Sequence, residues 1–205
     1  MIKIFEKTGM PECIKVDNGR PFGDPRLENI PPLAMWLTAS GIRMIHNRPR
    51  MPQDNAKVER SQGVMSDWTE WKKCKDTGEL QKRLRREAEF HNLHYPVRRL
   101  ENKTRIAAFP DMLKSPRPYE PGNIDLKNVL ESLSKNHWTR TANSVGQISF
   151  MGKRLNAGID FKGQTVSLKL DAVTNQWHIF DPKGQIIKKT DSGITVKSIS
   201  DFDLS

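Results

Sequence analysis

After His137 the hydrophobic pattern of this chain of 205 residues shifts toward short strands, and that shift limits the folds open to it. In the first half, apolar residues recur at helical spacing: Val58, Val64, Met65, Trp68 and Trp71, then Leu80, Leu84, Ala88 and His91. After His137 they fall in short runs at 147–150, 166–170, 177–180 and 186–187. Gly152, Gly158, Gly163 and the turn Asp181-Pro182-Lys183-Gly184 punctuate those runs. The first pattern predicts amphipathic helices with one core-facing arc; the second predicts short antiparallel strands joined by tight turns. Between them, Pro116, Pro118 and Pro121 predict an extended linker.

The early residues read as an α/β arrangement. Residues 12–17 alternate polar and apolar, which predicts a half-buried strand ending in the turn Asp17-Asn18-Gly19. A helix is expected over 27–40, with Leu33, Met35, Trp36 and Leu37 on its apolar face and its regular part starting at Pro31 and Pro32. Gly41 suits the position just past its end, and 42–45 reads as a second strand. Asp54 or Asn55 is placed to cap a helix over 55–74, followed by a second helix over 77–94 and a helical turn at 104–109. The expected organisation is a first domain over 1–111 and a linker with a short helix over 112–144. A small β-barrel over 145–190 and a tail over 191–205 complete it, with Asp201 and Asp203 in a frayed end.

Charge narrows the choice of partner. A net charge of +10 and a pI near 9.7 favour an anionic polymer over a small metabolite. With no long apolar run and no apolar leader, the expectation is a cytoplasmic protein that does not engage a membrane. DNA is the expected partner. Cys13 and Cys74 form no CxxC or Cys/His pattern and read as reduced thiols. The tryptophans Trp68, Trp71, Trp138 and Trp177 read as core residues, and the five histidines show no ligand spacing.

Two acids stand at positions suited to chemistry. Asp17 ends a strand and Glu59 lies near a helix start, so both sit on rigid supports. Two-metal phosphodiester chemistry needs several carboxylates converging on ions about 4 Å apart. Magnesium takes oxygen ligands and keeps some of its waters, so one or two carboxylates per ion suffice. On spacing alone, the same acids read as a turn residue and a solvated acid favoured by a helix N-terminus.

A wider pattern extends the reading. The run Ile14 to Phe22, the run Leu37 to Ile42, and Arg48-Pro49 through Asn55-Ala56-Lys57-Val58-Glu59-Arg60 resemble the second half of a retroviral-integrase-type catalytic core. His94-Tyr95-Pro96 through Leu100 and Thr104 to Pro110 resemble that family's closing segment. The resemblance implies a partial RNase H-like core over the first domain, with an Asp, Asp, Glu metal site. By it, Asp17 is the second acid and Glu59 the third, holding Mg2+ or Mn2+, while Asn18, Lys57 and Arg60 flank the site. Two departures accompany it. More residues separate Asp17 from Glu59 than is usual, an excess assigned to a loop around 29–32, and no strand bearing the first aspartate precedes Asp17. The 145–190 segment is similar, through Ser149 to Gly152 and Val166 to Leu170, to the small barrel of phage Mu-like transposases.

Basic residues between 72 and 105 form a separate signal. Lys72, Lys73, Arg83, Arg86, Arg98 and Arg99 are the expected DNA contacts there, since neutralised phosphates release counterions. Interspersed Glu79, Glu87, Glu89 and Glu101 imply that part of this run is a solvated helix face. The functional expectation is the C-terminal portion of a metal-dependent DNA strand transferase, inactive alone for want of the first aspartate. The alternative is a non-catalytic DNA-binding or assembly fragment that modulates a full-length transposase. Partners on either reading are DNA and either a second copy or a full-length transposase. A first domain lacking its leading strands is expected to fold loosely, while the barrel stands alone.

Overall fold

A computed structural model describes residues 1–23, 30–113 and 117–200, with side chains placed for all of these except Met112 and Leu113. Its class is mixed α/β, with two compact units. Unit 1 comprises Met1–Pro11 and Asn47–Tyr119; unit 2 comprises Glu12–His46 and Glu120–Ser205. Among the described residues, no helix is long and apolar enough to cross a membrane. The expected tail residues Asp201 and Asp203, and the expected helix start at 27–29, lie outside the described residues.

Unit 2 begins with a strand–helix–strand run. Strand β1 (Cys13–Val16) pairs in parallel with β2 (Arg43–His46), from Cys13 opposite Arg43 to Val16 opposite His46. Parallel partners need a crossover, and α2 (Pro32–Ala39) supplies it. Pro32 opens that helix where its missing N–H costs nothing. At the other end Gly41 has φ 70°, its N–H donates to Thr38 O at 2.9 Å, and Ile42 N–H donates to Leu37 O at 2.8 Å. These two bonds are a Schellman cap, and its apolar clasp is present because Leu37 and Ile42 are both fully buried.

The rest of unit 2 builds one core around that helix. Helix α6 (Leu126–Ser134) is capped by Asp125, which accepts from Lys127 N–H at 2.9 Å. Its Val129, Leu130 and Leu133 are buried, and it packs on α2. Six strands follow: β3 (His137–Thr141), β4 (Gln147–Phe150), β5 (Lys153–Asn156), β6 (Thr165–Asp171), β7 (Gln176–Phe180) and β8 (Ile186–Asp191). A last helix, α7 (Val196–Ser200), inserts Ile199 beside α2. The sheet face bearing Trp138, Val166, Leu168, Leu170, Trp177 and Ile179 is buried. Trp138, Phe150 and Trp177 meet there with ring centres 4.9 to 5.4 Å apart, two of the three pairs edge to face.

The strands correct the barrel expectation. They form an open antiparallel sheet in the order β3-β6-β7-β8 and a separate hairpin, β4-β5; no closed barrel exists among the described residues. Closure would require the β3 and β8 edges to pair. Helices α2, α6 and α7 instead share the core with the sheet's apolar face, and β8 exposes Lys188 and Lys189 at its edge.

Unit 1 is helical. Helix α1 (Ile2–Thr8) buries Phe5, whose ring lies 6.4 Å from Tyr119, and Met10 N–H donates to Arg117 O at 2.8 Å. Helices α3 (Ala56–Thr69) and α4 (Thr77–Leu93) pack together, and α5 (Arg105–Ala108) packs on α4. The helix expected over 55–74 stops at Thr69 because Glu70 turns left-handed at φ 46°, and a tighter turn over Trp71–Lys73 follows. Neither expected cap binds the α3 terminus through its side chain. Asp54 is held instead by Arg48, with Nη2 to Oδ1 at 2.8 Å and Nε to Oδ2 at 3.0 Å.

The apolar arc of α3 is also less buried than its spacing predicts. Val58 and Trp71 are each 52% exposed, and Thr69 is the residue that the helix buries fully. Trp68 carries the packing, with Phe90, His91 and Tyr95 rings 5.8, 5.6 and 5.1 Å from it. Of the apolar residues buried among those described, only Phe5 and Met10 belong to unit 1. Its core is thin.

Candidate nucleic-acid interface and metal-binding acids

Asp17 follows β1 directly, at the carboxyl end of a parallel pair, where open α/β sheets place their ligands. It is exposed, and one carboxylate oxygen accepts the Asn18 N–H at 2.8 Å. Gly19, at φ 104°, then reverses the chain, with reciprocal backbone bonds to Gly23 at 2.6 and 2.7 Å. The turn thus presents Asp17 and Asn18 to solvent from a fixed base.

Glu59 occupies the first turn of α3 and is exposed, with Asn55 Nδ2 at 3.5 Å from Oε1. Its neighbours Lys57 and Arg60 are exposed as well. Each acid therefore keeps carboxylate oxygens open, which is the hard donor chemistry that Mg2+ or Mn2+ takes. Among the described residues, no group of three or more His, Cys, Asp or Glu side chains is gathered as a metal site. Asp17 belongs to unit 2 and Glu59 to unit 1.

The cations are unevenly distributed. Unit 1 holds 19 of the 34 Lys and Arg residues but 11 of the 24 Asp and Glu residues, so it carries about +8 of the net +10. Three of the expected DNA contacts are committed within their own helices or turns. Lys73 pairs with Glu70 at 2.6 Å, Arg83 with Glu79 at 2.8 Å, and Arg86 with Glu87 at 2.6 Å. A hydrogen bond from Lys73 holds Glu70 below the ordinary carboxylate range, and Glu79 is held below it by the Lys75 backbone N–H first and Arg83 second.

The other expected contacts are open. Lys57, Arg60, Lys72, Arg98 and Arg99 are exposed and make no salt bridge among the described residues. Lys72 lies 5.5 Å over the Trp71 ring, which leaves its ammonium facing solvent. Lys82 and Arg85 on α4, members of the same basic run but not among the expected contacts, share this condition. Sequence spacing does not separate the two groups: Glu79 lies three residues from Lys82 and Glu89 four from Arg85, as near as the partners of Lys73, Arg83 and Arg86.

Asn47, Thr69 and His91 are buried polar residues of unit 1, and His91 is the titratable one. His91 is 9% exposed beneath Trp68, and burial pushes its imidazole below the ordinary range, with Arg105 adding to the effect. Arg105 donates to the His91 carbonyl at 2.7 Å and lies 5.9 Å over the Tyr95 ring, locking α5 against α4. This histidine is structural. No family model matches the chain.

Proposed function

We propose that this chain is a DNA integration or transposition protein of the integrase and transposase kind, with a partial RNase H-like core. The observation that carries the reading is Glu59 at an exposed helix start between Lys57 and Arg60, two cations free of acid partners, in a unit holding most of the positive excess. The order of elements supports it: strand and Asp17, helix, parallel strand, then the helix whose first turn holds Glu59. In this reading the exposed cations of unit 1 hold the phosphate backbone, and Asn18 orients Asp17 through its N–H. Asp17 and Glu59 would hold Mg2+ or Mn2+. Such ions stabilise the charge that develops when a water or a 3′ hydroxyl displaces a phosphodiester oxygen in line.

Each acid offers one carboxylate, and among the described residues neither belongs to a group of three or more possible ligands. We therefore expect no strand transfer by this chain alone. A Mg2+-dependent strand-transfer assay checks this: activity that Glu59→Gln abolishes would overturn the expectation of inactivity while upholding the metal site.

A second reading is a non-catalytic DNA-binding or assembly protein that modulates a full-length transposase. It is favoured by the lack, among the described residues, of any gathered acidic site. The readings part on Asp17→Asn with Mg2+ present. Weakened DNA binding favours the metal site; binding indifferent to the change favours the second reading.

A further inference from the structure

The exposed face of the four-stranded sheet in unit 2 carries a continuous basic row. In register, His137 lies opposite Lys169, Lys169 opposite His178, and His178 opposite Lys189, so one side chain from each of β3, β6, β7 and β8 forms a single line. At strand spacings of about 4.8 Å the line is roughly 14 Å long. Like charges directly opposite each other destabilise a sheet. Lysines on an edge strand such as β8 discourage unwanted pairing, but Lys169 stands on the interior strand β6, where that explanation does not apply.

Within the row, His178 has an acid at ion-pair distance, while Lys169 and Lys189 make no salt bridge among the described residues. Asp171 is spent on a turn, accepting from Val173 N–H at 2.9 Å and Thr174 Oγ1 at 2.7 Å, and lies 3.8 Å from His178 Nε2. Asp191 accepts from Gly193 N–H at 2.7 Å. His178 Nε2 is buried and has no hydrogen-bond partner. Two shallow depressions of about 290 and 410 Å³ flank Lys169, and Phe180 lines both. The Phe180 ring lies 6.4 Å from His178 and is half-buried, and exposed or half-buried Thr139 and Ser167 continue the face.

We propose that this face binds a single strand of nucleic acid. Lys169 and Lys189 each contact a phosphate, and Phe180 stacks a base. Positive groups beside an aromatic on a sheet surface are the recurring means of holding single strands. The proposal takes its ligand class from the DNA-binding reading but concerns a different unit and a different form of the ligand.

Fluorescence anisotropy of the full chain with a labelled oligothymidylate tests it. Each lost phosphate contact should lower the slope of log K against log salt by about 0.7 for a single strand, so K169Q/K189Q should lower it by about 1.4. Lys189→Gln alone, on an exposed edge, should lower it by about 0.7 without disturbing the fold. Phe180→Leu should weaken binding about tenfold. An unchanged slope in variants with unaltered melting overturns the proposal. So does an equal loss of affinity for polyglutamate or for phosphatidylglycerol vesicles, which would make the face a general anion or lipid surface. K57Q/R60Q on duplex DNA reads the unit 1 interface separately, so failure of one does not mimic failure of the other.

Discussion

Gly41 shows how far single residues determine the backbone of unit 2. Its φ of 70° is left-handed, a conformation that costs a residue with a Cβ about 1 kcal/mol, and the Schellman bonds from Gly41 and Ile42 depend on it. Gly41→Ala should destabilise unit 2 by about 1 kcal/mol, measurable by urea unfolding followed through tryptophan fluorescence. His91 makes the equivalent test in unit 1. Burial lowers its folded pKa below the unfolded value, so its contribution is present above the ordinary imidazole range and is lost as pH falls through the folded pKa. The melting temperature of unit 1 should therefore drop in mild acid, and His91→Gln should flatten that dependence. The Gly41 cap was legible from the sequence because glycine after an apolar helix has few other uses. The role of His91 was half legible: its place on the buried arc was read from helical spacing, but the Trp68 ring that covers it comes from a different helix, α3.

At the level of elements, legibility followed how much of an element's burial comes from its own pattern. Helix α6 and strands β6 and β7 alternate cleanly and were read nearly to their ends. Strands β3 and β5 were missed because His137–Thr141 and Lys153–Asn156 hold few apolar residues, and partner strands rather than periodicity define them. Helix α3 erred the other way. Its spacing is amphipathic, yet Val58 and Trp71 stay half exposed because α4 covers only the part near Trp68. The candidate acids were legible as positions on elements, Asp17 after a strand and Glu59 in a first helical turn. Which cations remain open was not, since Arg83 pairs with Glu79 while Arg85, two residues on, pairs with none.

For the whole molecule, the two units should differ in stability. Nearly all the buried apolar side chains belong to unit 2, whereas unit 1 relies on ring contacts, helix caps and surface ion pairs. Exposed ion pairs add at most about 1 kcal/mol each, and a crowded positive charge opposes compaction. Unit 1 should melt first, so calorimetry should resolve two transitions, and raised salt should lift the lower one by screening the excess charge. A single sharp transition would contradict this division. Loose packing also suits a surface that gains order on a polyanion, because binding to the folded form adds its own free energy.

We propose that unit 1 holds DNA through cations that make no salt bridge among the described residues. The most direct measurement of this is duplex affinity as a function of salt for the full chain and for K57Q/R60Q. We predict that log K falls linearly with log salt and that the double variant reduces the slope by about 1.8, or about 0.9 for each phosphate contact removed. An affinity that does not change with salt, or a slope identical in the two proteins, would contradict the account.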